Sequence, residues 1–518
     1  MQSGRVAERA AAKAGGSSGG GGGGKAVAGG GGGDGAAAAS VAGLTPMAAF
    51  VRVKPLDAEP GGGTASSKRI TSWDERAGTI EMDVAGSVAG HGRSGTKEFD
   101  YAKEIIGPES TQERVYDSIA APLVAQFVQG YDVDLISYGQ TGSGKTFTMF
   151  GPPHSMAEAA AAQKKSGAGK DISGDGILRP EHGFVLRSGL DCLAALQGLR
   201  ARGCKAVLHG SMIEMSILSF QEQNCMDLLK DYTVCFVDDD YHLQGTEHME
   251  LHCAVDVVQL AAAVETRLTR GTKMNDTSSR SHCVAMLKLT VLEGGAVRTS
   301  RLQFFDLMGS ERFVGQNAAH DSAHSSKSTM GGWEGIFSNL SLMCLYSCIE
   351  LAAKNRRKKN PKPDKSMIGM LLTKLLAGSL MGSALTGMIT CVSQSPRNGD
   401  ETCESLSPPR CVCARTRACT EGGILCLPVP TADHEPDTAP DLLDSTLGYG
   451  TTMSKLLNKA QPQPAKPIER LLAGAQKKYA EAAAVVARGV AGKYQAARQA
   501  QVKAYSHDIS VLEGLQSA

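Results

Sequence analysis

The stretch that most limits how this chain can fold is YGQTGSGKTFTM, residues 138–149, which directly follows the apolar run VDLIS. From Gly139 to Thr146 it fits G-x-x-x-x-G-K-[ST], a pattern in which small residues let successive backbone N–H groups turn towards an anion. Lys145 is placed to reach the β- and γ-phosphates, and the Thr146 hydroxyl to hold Mg²⁺. Such a loop needs a strand before it and a helix after it, and DVDLISY and KTFTM supply both. The sequence therefore predicts a phosphate-binding loop.

Strand-like and helix-like segments alternate along the chain after residue 46. The strand-like runs are residues 48–56, 133–138, 212–218, 283–292 and 301–307. Helical patterns include residues 112–130 and 254–271. Strands that alternate with helices indicate an α/β sheet that is covered on both faces.

The composition limits the class of protein. No run of eighteen apolar residues occurs, so no transmembrane helix is expected, and the start MQSGRVAERAAAKAGG lacks the apolar region of a secretory signal. The basic, Ala- and Gly-rich first 33 residues leave a transit peptide open. Fourteen cysteines without a secretory signal indicate reduced thiols in a cytosolic setting. With a net charge of +1, any electrostatic partner must bind a local cluster of charge.

The chain divides into three predicted regions. Residues 1–46 are Gly- and Ala-rich and are expected to be disordered, because they bury too little apolar surface to offset backbone entropy. Residues 47–458 form the predicted folded domain, and residues 459–518 a linker and an Ala-rich helical tail with heptads too poor for a long coiled coil. Inserts are predicted at about 152–175, 316–332 and 404–443. For the last insert the sequence leaves two explanations open: a surface insert, or untranslated sequence included in the conceptual protein.

Other motifs stand in the order found in the kinesin motor domain, which the chain resembles over roughly residues 48–458. YGQTGSGKTFTM is similar to the kinesin phosphate loop, and FVRVKPL (50–56) to its first strand. NDTSSRSH (275–282) matches the first switch, N-x-x-S-S-R-S-H, and DLMGSE (306–311) is one substitution from the second, D-L-A-G-S-E. The resemblance implies a P-loop NTPase fold with a central mixed, mostly parallel sheet and helices on both faces. The composition adds a disordered N-terminus and a C-terminal helix to this fold.

The resemblance also implies a role for each matched residue, with ATP and Mg²⁺ as cofactors. The phosphate-binding residues would be Gly139, Gln140, Thr141, Gly142, Ser143, Gly144, Lys145 and Thr146. Arg52, Pro55 and Phe147 would enclose the adenine, although a simple core aromatic is the alternative for Phe147. Thr146, Ser279 and Asp306 would hold Mg²⁺.

Catalytic roles follow from the two switches. Ser279 would contact the metal, and Gly309 would donate its backbone N–H to the γ-phosphate. Arg280 and Glu311 would pair across the switches and position the attacking water. An ordinary exposed ion pair is the alternative for these two residues.

The function implied is an ATP-hydrolysing, microtubule-binding motor, a microtubule-stimulated ATPase of the cytoplasm and cytoskeleton, with the ciliary axoneme as one location. The stretch KNRRKKNPKPDK, residues 354–365, falls where kinesins touch the acidic tubulin tails. Its seven basic residues are expected to attract tubulin: Lys354, Arg356, Arg357, Lys358, Lys359, Lys362 and Lys365. The alternatives are a solvated loop, a nuclear localisation signal and a nucleic-acid patch, the last of which is not favoured. No membrane partner is expected.

One departure from the family favours a second function. SMIGMLLT (366–373) stands where kinesins carry P-Y-R-D-S-K-L-T, so a microtubule-facing helix loses an arginine and a lysine. Either a track-binding surface has been lost, or it has been remade as an apolar surface for a fixed partner. The alternative function is a non-motile structural or regulatory subunit. The sequence indicates neither direction, cargo nor oligomeric state.

Overall fold

The computed structural model describes most of the chain from residue 45 onwards, in segments separated by gaps. Pro46–Ala518 forms one unit and Met1–Thr45 another, of which only Thr45 is described. The predicted disordered region, the inserts at 316–332 and 404–443, and nearly all of 152–175 lie outside the described residues. The described residues are 45–46, 48–55, 69–83, 96–99, 102–152, 154–155, 158, 177–217, 223–238, 241–271, 281–310, 340–352, 369–394, 457–458, 460–488 and 494–517.

Seventeen strands occur in the described residues, and several coincide with the predicted ones. The run predicted at 133–138 is a strand with those bounds, and the run predicted at 48–56 is a strand that ends at Lys54. In chain order the strands are β1 (Thr45–Pro46), β2 (Ala48–Lys54), β3 (Arg69–Asp74), β4 (Thr79–Asp83), β5 (Thr96–Phe99), β6 (Glu104–Ile106), β7 (Val133–Tyr138), β8 (Lys205–Ile217), β9 (Gln223–Asp227), β10 (Thr233–Val237), β11 (Leu243–Gln244), β12 (Met249–Glu250), β13 (His282–Glu293), β14 (Ala296–Asp306), β15 (Leu385–Ser393), β16 (Leu457–Asn458) and β17 (Lys466–Pro467).

Ten helical segments accompany these strands in the same part of the chain, besides the helical residues 155 and 158. They are α1 (Gln112–Val128), α2 (Lys145–Met149), α3 (Phe184–Ala201), α4 (Ala254–Ala262), α5 (Val264–Gly271), α6 (340–352), α7 (Leu371–Leu375), α8 (Ala377–Met381), α9 (Ile468–Ala487) and α10 (Tyr494–Ser517). None of them, within the described residues, is both long and apolar enough to span a bilayer.

Twelve of the strands form one large mixed sheet. Its main order is β11-β10-β9-β8-β13-β14-β7-β15-β2-β6, with β12 beside β8 and β17 beside β14, and β3, β4 and β5 form a separate sheet. Four pairs are parallel, namely β14–β7, β7–β15, β15–β2 and β2–β6. The mixed α/β sheet is confirmed, but the expectation that it is mostly parallel is wrong for the described pairs. The strands from β11 to β14 in the sheet order are antiparallel neighbours, and some of them are joined as hairpins by short turns such as Gly294–Gly295 between β13 and β14.

Helices cover both faces of this sheet. Leu135 of β7 belongs to a buried cluster that includes residues of α1, α3 and α4, whereas the next residue, Ile136, belongs to a cluster with α6 and α7. Successive residues of a strand point to opposite faces, so each cluster is the core of one face. The predicted coverage of both faces is confirmed.

Two apolar residues in the described part of SMIGMLLT are buried, and one of them, Leu372, faces this second core. Met370 is 3% and Leu372 is 1% exposed, and Leu372 packs in the cluster that contains α6. Among residues 369–373, therefore, these two apolar side chains stabilise the chain's own fold and do not form an exposed patch.

The predicted helical tail consists of two helices, α9 and α10, that pack against each other. Ile468 at the start of α9 is buried with Leu512 and Leu515 near the end of α10, whereas Lys478 lies over the ring of Tyr505, 5.9 Å from its centroid. These contacts make the two helices antiparallel. We call residues 468–487 and 494–517 together the C-terminal helix pair.

Candidate functional site

The phosphate loop joins β7 to α2, as the sequence predicts. Gly139 has φ 142°, and a Cβ atom there would stand 2.2 Å from the backbone oxygen of Cys391, so a side chain has no space. Gly144, with φ 102°, immediately precedes α2 and adopts a left-handed conformation that favours glycine. These two positions explain why the loop that connects this strand to this helix requires glycine.

Lys145 and Thr146 begin α2 and point towards different partners. Lys145 is 6% exposed, and its Nζ donates to the backbone oxygen of Gln140 at 2.7 Å. Thr146 Oγ1 donates to Asp306 Oδ2 at 2.7 Å. The parallel register of β14 with β7 pairs Asp306 with Ser137, just before the loop, and this pairing brings the carboxylate to the threonine.

The predicted metal ligands Thr146 and Asp306 are thus in direct contact. Hydroxyl and carboxylate oxygens are the donors that Mg²⁺ prefers, usually together with phosphate oxygens and water. The donor chemistry of this pair therefore fits Mg²⁺. The third predicted ligand, Ser279, lies outside the described residues.

A cavity of about 810 Å³ lies beside the loop and contains both ends of the predicted nucleotide site. Arg52 and Phe147 form one end, with the guanidinium carbon 5.3 Å from the ring centroid and Phe147 38% exposed. This exposure contradicts the alternative of a simple core aromatic. The lining residues that the sequence predicted are Arg52, Pro55, Thr141, Gly142, Ser143, Gly144, Lys145, Thr146, Phe147 and Gly309.

The start of the second switch is fixed to the phosphate loop and to the end of the first switch. The Ser310 backbone N–H donates to Gly139 O at 3.1 Å, and the Met308 N–H donates to Nδ1 of His282 at 3.2 Å. His282 Nε2 lies 2.7 Å from Ser341 Oγ on α6. Burial, with help from the charges of Arg267 and Lys145, lowers the pKa of His282 to about 3, so the ring is neutral at pH 7.

Arg267 is a charged residue that the sequence analysis missed. It lies on α5, is 1% exposed, and its Nη1 donates to Asp306 Oδ2 at 3.1 Å. Its Nε lies 3.6 Å from Glu214 Oε1 and donates to Ser281 Oγ at 3.2 Å. Burial alone would lower the pKa of Arg267, but the charges of Asp306, Cys283 and Glu214 outweigh it and raise the pKa. Arg267 therefore links the strand before the second switch to the last residues of the first.

Gln112 is a second residue that the sequence analysis did not assign to the site. It begins α1, is 4% exposed, and lines the same cavity. A glutamine at the first position of a helix gives no functional signal in a single sequence.

Several predicted site residues cannot be placed. Arg280 and Glu311 lie outside the described residues, as does the whole basic stretch from Lys354 to Lys365. The predicted pairing of Arg280 with Glu311 and the tubulin contact therefore remain predictions.

Comparison with known sequences places these observations in a family context. A sequence profile of the kinesin motor domain matches residues 52–408. The chain is 29% identical over 344 residues to kinesin-like protein KIN-UB of Arabidopsis thaliana, covering 60% of this chain and 32% of that protein. It is 28% identical over 420 residues to kinesin-like protein KIN-14C of the same plant, covering 77% of this chain and 45% of that protein. It is 29% identical over 338 residues to kinesin-like protein KIF27 of Rattus norvegicus, covering 61% of this chain and 21% of that protein. The chain thus spans less than half the length of these relatives.

Solved structures agree with this comparison at the level of the fold. The motor domain of the Saccharomyces cerevisiae kinesin-related protein Kar3 superposes with a TM-score of 0.51 and 23% identity, covering 70% of this chain and 97% of that one. A motor and motor homology domain of Kar3Vik1, fused to a synthetic coiled coil, gives a TM-score of 0.50 and 22% identity. This match covers 69% of this chain and 82% of that one.

Proposed function

Because this chain belongs to the kinesin motor-domain family, we propose that it is an ATP-hydrolysing, microtubule-binding motor. One observation carries the proposal: a single cavity is lined by the phosphate loop, by Arg52 and Pro55 at its other end, and by Gly309 of the second switch. These are the parts that ATP hydrolysis requires, namely a phosphate cradle, a site for the base and a sensor of the γ-phosphate.

The phosphate end would work by charge and position. When ATP binds, the Lys145 ammonium would exchange the Gln140 carbonyl for β- and γ-phosphate oxygens, a short movement because both lie at the same loop. Thr146, Asp306 and Ser279 would hold Mg²⁺. The bound metal supplies neutralisation of the charge that develops on the transferred phosphoryl group.

The hydrolytic step would depend on the switches. Gly309 would donate its N–H to the γ-phosphate, and Arg280 would pair with Glu311 to close the site and hold the attacking water. The bond from Ser310 N–H to Gly139 O supports this assignment, because it fixes the residue immediately before Glu311 to the phosphate loop. Ser279, which belongs to the first switch, would couple that switch to the metal by contacting it.

The partner in this proposal is the microtubule, and the location is the cytoplasmic microtubule cytoskeleton. The contact is assigned to the basic stretch of residues 354–365, which closely follows the described part of α6 in the sequence. The acidic tubulin tails would attract these seven basic side chains.

The runner-up is a non-motile structural or regulatory subunit. The C-terminal helix pair supports it, because these helices pack against the motor's own sheet instead of extending away as a stalk. The burial of Met370 and Leu372 weighs against it, since these two side chains are not available to a fixed partner.

A steady-state ATPase assay with and without microtubules separates the two functions. For a motor we expect MgATP hydrolysis that microtubules stimulate at least about tenfold, and in Lys145→Ala we expect loss of nucleotide binding, because the cation that faces the phosphates is gone. Hydrolysis that microtubules do not stimulate would favour the structural subunit. Unchanged nucleotide affinity in Lys145→Ala would refute the site itself.

A second variant tests the assignment of the switches. Glu311→Ala should bind MgATP with affinity close to that of the original chain but lose at least about a hundredfold in kcat, because its pair with Arg280 forms only in the closed state. Equilibrium binding and single-turnover hydrolysis measure the two quantities separately. A normal kcat would show that this pair does not close the site.

A further inference from the structure

The Gln112 side chain bridges three segments at the base end of the cavity. Its Oε1 accepts from Arg52 Nη1 at 2.7 Å, and its Nε2 donates to Phe147 O at 2.5 Å and to Glu181 O at 3.2 Å. The three partners come from β2, from α2 and from the loop before α3. One amide therefore uses its acceptor and both donors to hold segments that are distant in the sequence.

Gln112 is placed by its helix and is buried. Thr111 caps α1, with its Oγ1 accepting from Arg114 N–H at 3.2 Å, and this cap fixes where the helix begins. Because Gln112 is only 4% exposed, loss of its amide would remove one buried hydrogen bond from each of two backbone oxygens and a guanidinium.

The partners of Gln112 form the wall against which a base would lie. Phe147 exposes its ring to the cavity, and Arg52 holds its guanidinium beside that ring. Arg52 also donates to Thr148 Oγ1 at 2.7 Å, so two hydrogen bonds fix its position. A planar aromatic with an adjacent guanidinium suits the face of a nucleotide base.

The phosphate end is built from other contacts. Lys145 bonds to Gln140, Thr146 bonds to Asp306, and the Thr148 hydroxyl donates to Gly144 O at 2.8 Å. None of these three bonds involves Gln112. Thr148 links the two ends, because its hydroxyl also accepts from Arg52, whereas the bonds of Lys145 and Thr146 have no direct contact with Gln112.

We propose that Gln112 is a positioning residue for recognition of the nucleotide base, acting through Phe147 and Arg52 and not on the phosphates. This inference rests on the proposed function, since it assumes that the cavity binds a nucleoside triphosphate. It adds a residue that determines how much of the binding free energy comes from the base.

The test compares a ligand that has a base with one that lacks it. Gln112→Met keeps the length of the side chain and removes its hydrogen bonds. We expect its affinity for MgATP to fall about 5–10-fold, as for the loss of a hydrogen bond, while its affinity for magnesium tripolyphosphate changes less than about twofold. Competition against a fluorescent ATP analogue measures both. Gln129→Met, at the exposed other end of α1, is the matched control and should change neither.

A double-mutant cycle decides the same question with ATP alone. If Gln112 acts through Phe147 and Arg52, then adding Gln112→Met to a background that carries both Phe147→Ala and Arg52→Ala should weaken MgATP binding by less than about twofold further. Equal weakening of ATP and tripolyphosphate, or an additive effect in that background, would show that Gln112 supports the whole loop and would overturn the inference. No ATP binding by the original chain would refute the proposed function itself.

Discussion

At the scale of single residues, Arg267 shows how a buried charge is tolerated in this site. Arg267, Asp306 and Glu214 are each 2% exposed or less, and the one guanidinium serves both carboxylates. Taking such charges out of water is costly unless each is paired and hydrogen-bonded. The Asp306 carboxylate also accepts from Thr146, so its pairing with Arg267 holds this predicted metal ligand in place.

Removing Arg267 should therefore destabilise the fold strongly. In Arg267→Ala two carboxylates stay buried without their cation, and we expect a loss of about 3–5 kcal/mol in the free energy of unfolding. Arg114→Ala is the matched control, because Arg114 pairs with Glu104 at 2.8 Å with its side chain 56% exposed, and it should lose less than about 1 kcal/mol. Urea denaturation at pH 7 measures both. Similar losses in the two variants would contradict the buried-charge argument.

Asp134 gives a second residue-scale prediction, on pH. Burial raises the pKa of Asp134 to about 7, although Ser379 Oγ and Gln303 Nε2 donate to its carboxylate, the latter at 3.2 Å. Between about pH 4 and 7 the folded chain therefore binds more protons here than the unfolded chain, so stability falls as pH rises through this range.

The contribution of Asp134 to this fall should reach up to about 4 kcal/mol. In Asp134→Asn it should disappear, because the amide does not titrate. Ser379→Ala removes a donor to the carboxylate, so it should move the upper end of the range to higher pH. The free energy of unfolding, measured by urea at a series of pH values, tests both variants. Identical pH profiles for Asp134→Asn and the original chain would contradict the prediction.

Residues differ in how far the sequence could predict their roles. Lys145 and Thr146 belong to a local motif whose chemistry needs only its own spacing, and the structure places them at one cavity as predicted. Gln112 and Arg267 obtain their roles from partners far along the chain, such as Arg52 and Asp306. In sequence, Arg267 stands in the polar pattern VETRLTRG, which is typical of an exposed helix end. Only the fold reveals that it is buried.

At the scale of elements, periodicity predicted the buried central strands well. It predicted β7 with its bounds, because this strand is buried on both faces and therefore reads as one apolar run. It underestimated the length of β8, whose first half includes the polar residues Lys205 and His209, and it merged α4 with α5, which are separated only by Ala263. The packing of the C-terminal helix pair on the sheet could not be predicted, because its contacts join residues about 200 positions apart, such as Lys288 and Asp508.

The attachment of the C-terminal helix pair to the sheet includes a cluster of histidines. The His507 ring on α10 lies 5.1 Å from the ring of His209 and 5.1 Å from that of His248. The charged groups that face this cluster are Lys288, Asp508, Lys503, Glu247 and Glu250. Lys288 pairs with Asp508 and Lys503 with Glu247, so these four charges near the rings form two ion pairs.

Acid should release this helix pair from the sheet. Burial lowers the pKa of His209 to about 3 and of His248 to about 4, and it also lowers the pKa of His507. Released histidines have a pKa near 6.5, so they bind more protons than the packed ones between about pH 4 and 6.5. The free energy that holds the C-terminal helix pair on the sheet is therefore fully present above pH 6.5 and is lost as pH falls through this range.

Hydrogen–deuterium exchange of residues 494–517 measures this release. After correction for intrinsic exchange rates, we expect faster exchange at pH 5 than at pH 7.5 in the original chain. The increase should be smaller in His507→Phe, which keeps an aromatic ring and removes one titrating group. His252→Phe is the matched control, because His252 has a side chain that is 62% exposed, and it should behave as the original chain does. Equal exchange at both pH values would contradict the prediction.

At the scale of the whole molecule, the proposed binding to a microtubule must come from local charge. A net charge of +1 gives no general attraction to the acidic surface of a microtubule. The stretch of residues 354–365 concentrates seven basic side chains with one aspartate, whereas the following segment SMIGMLLT has no charged residue. The basic stretch is therefore the proposed main electrostatic contact.

This contact should weaken with salt, because the Debye length falls from about 10 Å at 0.1 M to about 3 Å at 1 M. Co-sedimentation with microtubules should decline steeply as salt rises. Replacing Arg356, Arg357, Lys358 and Lys359 by alanine should weaken low-salt binding at least about tenfold and flatten the salt dependence. The matched control removes four exposed basic residues elsewhere, Arg76, Arg202, Lys477 and Arg488, and should retain the steep decline. If the first variant binds as well as the original chain at every salt concentration, residues 354–365 are only a solvated loop, and the structural subunit becomes the better proposal.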